Sequence, residues 1–194
     1  MTNISSLCVF CGSRKGTDPA HAKTARELGK VMAEKKIRLV YGGGRIGLMG
    51  IVADAVFNGN GQITGVIPDF LMHMEIGNDK VGELVITDNM HTRKAKMFDL
   101  SDAVIILPGG IGTLEEAFEI ITWKQLRQHD KPIILVDVNG YWAPFSKLIA
   151  NIIEDGFAHK KVLELYTVVD NVDEIFPALA NAPKPDEVVL TSHL

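Results

Sequence analysis

Cysteine is scarce in this 194-residue chain: Cys8 and Cys11, in Cys8-Val9-Phe10-Cys11, are the only two. Their spacing is that of a redox or half-zinc motif, but a thioredoxin-like pair opens a helix, whereas these close an apolar strand-like run, and no second ligand pair exists. They read as small apolar side chains without chemistry. Positive charge is not in excess either. A net charge of −4, from 20 Lys and Arg against 24 Asp and Glu, leaves no basic field for a nucleic-acid backbone, so no nucleic-acid partner is expected. No apolar run approaches the ~20 residues of a membrane span, and residues 1–6 lack the basic-then-apolar pattern of a leader. The expectation is a cytoplasmic protein with no membrane partner. None of the six histidines forms an i, i+4 pair, and His91, His129 and His159 sit in polar contexts that read as surface, so no metal is expected. Internal repeats and linkers are missing, and only residues 183–194 read as a loosely attached tail.

What the chain does have is 46% hydrophobic residues and a mean hydropathy of +0.13, as in an ordinary globular protein, and a single domain over residues 1–194 is expected. Short apolar runs at 7–10, 38–41, 62–67, 84–87, 104–107, 133–136 and 166–169 alternate with amphipathic stretches at 19–34, 48–58, 90–100, 113–128, 144–155 and 172–180. Strands apolar on both faces and separated by helices form a parallel sheet covered on each side. The fold class is therefore α/β: a three-layer, Rossmann-like, doubly wound sheet.

In such sheets ligands bind beyond the carboxyl ends of the strands. Three glycine-bearing loops share that edge here: Gly12-Ser13-Arg14-Lys15-Gly16, Tyr41-Gly42-Gly43-Gly44-Arg45-Ile46-Gly47, and Pro108-Gly109-Gly110-Ile111-Gly112-Thr113. The last opens a helix, whose first N–H groups and positive dipole end suit a phosphate. The second loop has no acidic residue closing the next strand to hold a ribose hydroxyl, so NAD is not expected. Along the 90–100 helix, Arg93 and Lys94 share a stripe with Met90 and Met97, which turns basic groups inward, toward an anionic partner. Glu116 supports two readings. Thr113-Leu114-Glu115-Glu116 has the form of a capping box, with Thr113 capping the helix and Glu116 reaching back to an N–H; otherwise Glu116 is a functional carboxylate. Glu115, opposite the apolar stripe of its helix, reads as a solvated charge.

Pro108-Gly109-Gly110-Ile111-Gly112-Thr113-Leu114-Glu115-Glu116, preceded by Met90-x-x-Arg93-Lys94-x-x-Met97 and opened by Cys8-Val9-Phe10-Cys11-Gly12-Ser13, resembles the LOG ("Lonely Guy") family of cytokinin riboside 5′-monophosphate phosphoribohydrolases. Tyr41-Gly42-Gly43-Gly44 and Ile120-Ile121-Thr122-Trp123 extend the resemblance, which runs from about residue 7 to beyond 166. It implies an N-glycosyl hydrolase that cleaves AMP or N6-prenyl-AMP to a free base and ribose 5-phosphate, with no cofactor. By that likeness Arg93 and Glu116 are the catalytic pair. Lys94 and Gly110, Ile111, Gly112 and Thr113 hold phosphate and ribose, while Glu75 and Thr122 complete the pocket. Ser13, Gly43, Gly109, Leu114 and Glu115 complete the candidate binding set. At Glu75 the chain has His73-Met74-Glu75 where the family usually shows Gly-Arg-Glu. The resemblance also implies a homodimer, in keeping with Phe98, Phe118 and Trp123 on the 90–100 and 113–128 helices. Two other functions are compatible with the same loops: a non-catalytic purine-nucleotide sensor and a general AMP nucleosidase. A lysine decarboxylase label, often attached to such chains, needs pyridoxal phosphate on a Schiff-base lysine that the sequence does not single out.

Overall fold

The computed structural model describes residues 4–72 and 82–183; the expected tail beyond 183 and Glu75 lie outside the described residues. Among the described residues, seven strands form one parallel sheet: β1 (Ser6–Phe10), β2 (Arg38–Tyr41), β3 (Ile63–Pro68), β4 (Glu83–Thr87), β5 (Ala103–Ile106), β6 (Ile133–Val136) and β7 (Thr167–Val169), in the order β4-β3-β2-β1-β5-β6-β7. The helices are α1 (Pro19–Glu34), α2 (Gly47–Asn58), the single turn α3 (Asp69–Leu71), α4 (Met90–Asp99), α5 (Ile111–Gln125), α6 (Ala143–Glu154) and α7 (Ile175–Ala180). The three-layer α/β reading holds.

Side chains alternate across the central strands. Leu7 and Val9 of β1 pack with Leu28 and Met32 of α1, Val52 of α2 and Ile175 of α7. Cys8 and Phe10 pack on the opposite face with Met97 of α4, Ile120 of α5 and Ile149 of α6. Cys8 and Cys11 thus lie on opposite faces of the sheet, both buried and free. Burial raises both thiol pKa values, so neither is a ready thiolate, in line with the expectation of no chemistry.

Several boundaries differ from expectation. Helix α5 starts at Ile111 rather than 113, with Gly110 as its cap residue and no side-chain cap bond. That removes the capping box: Thr113 is already inside the helix and Glu116 stands a turn further along. The 172–180 stretch divides into a 3₁₀ turn, Val172–Glu174, and α7, because Asn171 accepts from the Glu174 amide and caps a separate first turn. Phe98, Phe118 and Trp123 are partly buried against the second core rather than spare surface, Phe98 meeting Trp123 edge-on and Phe118 lying against Phe145. His129, expected at the surface, is half-buried, accepting from the Lys131 amide and bonded to the Ile120 carbonyl.

The chain reverses direction across the sheet at β1, which has β2 on one side and β5 on the other. Loops leaving β1 and β5 therefore diverge and open a crevice at the carboxyl edge. The loops are locked together: the Gly12 amide donates to the Pro108 carbonyl at 3.0 Å, and the Leu48 amide to the Gly12 carbonyl at 3.0 Å. Gly47 combines a φ of +63° with backbone contact, since a Cβ there would fall on the Ser13 carbonyl and the Arg14 nitrogen. Gly140 has a φ of +76° but open space around it. In urea unfolding, Gly140→Ala is expected to lose about 1–2 kcal/mol, the cost of the left-handed backbone alone, and Gly47→Ala clearly more. Equal losses would mean that the contact with residues 13 and 14 does not constrain the crevice.

Candidate active site

Arg93 and Glu116 meet in the crevice. Arg93 lies on the first turn of α4, which Asn89 caps by accepting from the Thr92 amide at 3.0 Å. Its guanidinium donates from Nε to the Val66 carbonyl at 3.0 Å and from an Nη to the Gly42 carbonyl at 3.1 Å. Gly42 has to be glycine for this, because a Cβ would occupy the position of that Nη. The other Nη lies 3.8 Å from Glu116 Oε1, with both side chains about nine-tenths buried. Burial pushes the Glu116 carboxyl up to about 7, with Arg93 opposing the shift. A carboxyl poised there can hold or release a proton near neutral pH.

The pocket around this pair has a volume of about 270 Å³. One wall is polar: Ser13, Gly110, Gly112 and Thr113. The amides of Ile111, Gly112 and Thr113 form the first turn of α5 and have no intrahelical acceptor. At Gly110 and Gly112 an added Cβ would meet nothing within 4 Å. Among the described residues neither glycine is needed for packing, and neither has a positive φ; both leave the helix N-terminus open on that side. Gly109 differs, since a Cβ there would strike Thr113 and the Gly12 nitrogen. The apolar part of the lining is made by Cys11, Met49, Leu71 and Met90.

The structure separates the remaining expected residues. Lys94, expected at a phosphate, is buried and paired with Glu115 Oε1 at 2.5 Å and Glu119 Oε2 at 2.8 Å. Burial alone would lower its pKa, but those two hydrogen-bonded carboxylates raise it overall. Glu115, read from sequence as solvated, is half-exposed and held by Lys94 at the pocket rim. Leu114 turns toward the second core. Gly43 adopts a φ of +75° beneath Ile67 and Leu84 and serves the loop. Thr122 is exposed and stands about 9 Å along the α5 axis from Glu116. Among the described residues no three His, Cys, Asp or Glu side chains are grouped to hold a metal.

Residues 49–179 match the family model described as "Possible lysine decarboxylase". "Cytokinin riboside 5′-monophosphate phosphoribohydrolase LOG1" of Arabidopsis thaliana is 44% identical over 188 residues, covering 96% of this chain and 88% of the relative. The chain belongs to the LOG family. Another relative of that family, "Probable cytokinin riboside 5′-monophosphate phosphoribohydrolase LOGL2" of Oryza sativa subsp. japonica, is 44% identical over 184 residues, 94% of this chain and 75% of its own length. Among solved structures, a molybdenum cofactor binding protein from Rippkaea orientalis superposes with a TM-score of 0.70 at 20% identity, covering 93% of this chain and 98% of that one. At that identity the likeness is one of fold.

The decarboxylase description of the family model does not fit the two buried lysines beside the pocket and on α5, Lys94 and Lys124. A Schiff base needs a neutral amine at the site. Lys94 is held as an ammonium by two carboxylates, and Lys124, whose pKa burial lowers to about 8, donates to the Lys131 carbonyl about two turns beyond Glu116. The raised Glu116 pKa has a consequence for stability. Folded protein holds the proton that unfolded chain releases above the ordinary glutamate pKa of 4.5, so this group's contribution to stability falls between pH 4.5 and about 7. Replacing Glu116 by Gln is expected to remove that slope, on the order of 3 kcal/mol across the window. Urea midpoints at pH 5 and pH 8 check this: the variant should gain on the wild type at pH 8, and parallel behaviour would contradict a buried, raised carboxyl.

Proposed function

We propose that this LOG chain hydrolyses the N-glycosidic bond of adenine-type nucleoside 5′-monophosphates, AMP or N6-prenyl-AMP, releasing free base and ribose 5-phosphate. The observation that carries the reading is the buried Arg93–Glu116 pair, 3.8 Å apart, one turn from the open N-terminus of α5. A phosphate set against those amides places the sugar it carries toward Glu116, since a helical turn spans ~5.4 Å. The curated relatives named as cytokinin riboside 5′-monophosphate phosphoribohydrolases supply the reaction class.

In the reaction the C1′–N9 bond breaks with its electron pair leaving on the base, and a water oxygen bonds to C1′. Glu116 as carboxylate offsets the positive charge that develops on the ribose and takes one proton from the attacking water; the departing base takes up one proton from solvent at a ring nitrogen, and Glu116 then returns its proton to solvent, restoring the carboxylate. Arg93 remains a cation throughout and fixes the carboxylate. The base faces the wall of Cys11, Met49, Leu71 and Met90, where thioether side chains adapt to bare or prenylated adenine. Thr122, Leu126 and Ile111 share an exposed face of α5, with Ile111 86% exposed. That face supports a two-fold dimer in which a second copy covers the pocket mouth.

Chromatography with mass detection, after incubation with AMP and with isopentenyladenosine 5′-monophosphate, should show free base and ribose 5-phosphate from the wild type. Glu116→Gln should be slower by at least ~10²-fold. Because Glu116 acts as the carboxylate, kcat/KM should rise with pH through an apparent pKa of about 7 and level off above it. Nucleotide binding without release of base would instead make the protein a sensor. Light scattering at micromolar concentration should give twice the 21.2 kDa chain mass; a monomer would remove the dimer.

A further inference from the structure

Helix α5 carries three carboxylates within five residues: Glu115, Glu116 and Glu119. Like charges one turn apart on a helix repel, so the cluster calls for cations from another element. Helix α4 supplies two and divides them unequally. The Arg93 guanidinium pairs with Glu116 at 3.8 Å and spends its other donors on the Val66 and Gly42 carbonyls. The Lys94 ammonium takes the remaining two carboxylates, Glu115 at 2.5 Å and Glu119 at 2.8 Å.

Burial decides which of these groups can escape into water. Lys94 is 5% exposed and Glu119 22%, so both are confined to the cluster, whereas Glu115 at 53% is half free. The other side chains facing Glu116 add no charge. The end of β1 brings Cys8 and Cys11, whose thiols burial holds protonated, and Ser13, Met49, Leu71 and Met90 are neutral. Among the described residues the cluster therefore sets two cations against three carboxyl groups. It is neutral when Glu116 carries a proton and has one negative charge in excess when Glu116 is ionised.

We propose that Lys94 is a positioning residue that assigns the cluster's one proton to Glu116: by pairing with Glu115 and Glu119, it leaves Glu116 as the carboxyl that binds and releases it. The proposal rests on the hydrolase reading above for the use made of that proton, but not for its location. The coupling is Coulombic. Glu115 and Glu119 each push the Glu116 pKa upward and Lys94 pulls it down, so the lysine offsets its two partners as seen from Glu116. With Lys94 in place, ionised Glu116 leaves a single excess negative charge for the positive charge developing on the ribose to offset. With the lysine gone the excess would be two, and Glu116 would keep its proton to higher pH.

The test is a carbon-13 titration of the Glu116 carboxyl by NMR in the full-length protein, its signal assigned by its loss in Glu116→Gln. Three variants carry it: Lys94→Met, which keeps most of the buried stem, the isosteric Glu119→Gln, and the two combined. Lys94→Met should move the Glu116 titration up by about one pH unit, and Glu119→Gln should move it down by about as much. The double variant, which loses one charge of each sign, should return it close to the wild-type position. The rising limb of kcat/KM for AMP should move in the same directions. Altered packing alone has no reason to produce shifts of opposite sign that cancel on combination. Should Lys94→Met fail to fold, Glu119→Gln and the double variant still decide the matter. A Glu116 titration that stays in place in Glu119→Gln, or that moves the same way in every variant, would overturn the proposal. Opposite shifts without release of base from AMP would leave the proton assignment standing and remove the hydrolase reading.

Discussion

The site depends on one buried cation being held by the main chain of the sheet. Arg93 donates to the carbonyl of Val66 within β3 and to that of Gly42 just beyond β2, so its position is set by strand pairing and not by a flexible partner. A buried arginine in that position calls for an anion nearby, because an unpaired charge in a dry site is costly. Glu116 answers that call at a distance of 3.8 Å, yet burial still raises its pKa. The pair is thus close enough for Arg93 to orient the carboxylate, while desolvation leaves that carboxylate basic. Gly42 belongs to the same device, since its missing side chain is the space the guanidinium fills.

The carboxylates on α5 are divided by face. Glu116 points into the crevice, whereas Glu115 and Glu119 lie on the outer side and are gathered by Lys94. Without that lysine, both would add negative potential beside Glu116, for each already pushes its pKa upward while Lys94 opposes them. Lys94 therefore shapes the site by neutralising its rim. Adjacent Arg93 and Lys94 point to neighbouring but distinct partners because successive residues on a helix are about 100° apart.

Much of the fold was legible in the sequence, because strands buried on both faces leave continuous apolar runs and the helices keep a 3.6-residue stripe. The three glycine loops at one edge were legible for the same reason, and Arg93 and Glu116 stood out by their place beside them. The start of α5 was not: Thr113 and Glu116 mimic a capping box, while Gly110, which gives no side-chain signal, is the true cap. The ion pairs of Lys94 were not legible because its partners sit 21 and 25 positions away, a separation no local pattern reveals.

The central claim is that Glu116 faces the anomeric carbon of a nucleotide whose phosphate lies at the N-terminus of α5. A crystal structure of the Glu116→Gln protein with AMP bound tests it most directly. The account expects the phosphate beside the amides of Ile111, Gly112 and Thr113, C1′ beside the residue 116 side chain, and the base against Met49, Leu71 and Met90. A nucleotide bound with its phosphate or base at residue 116, or with C1′ turned away from the crevice, would contradict it.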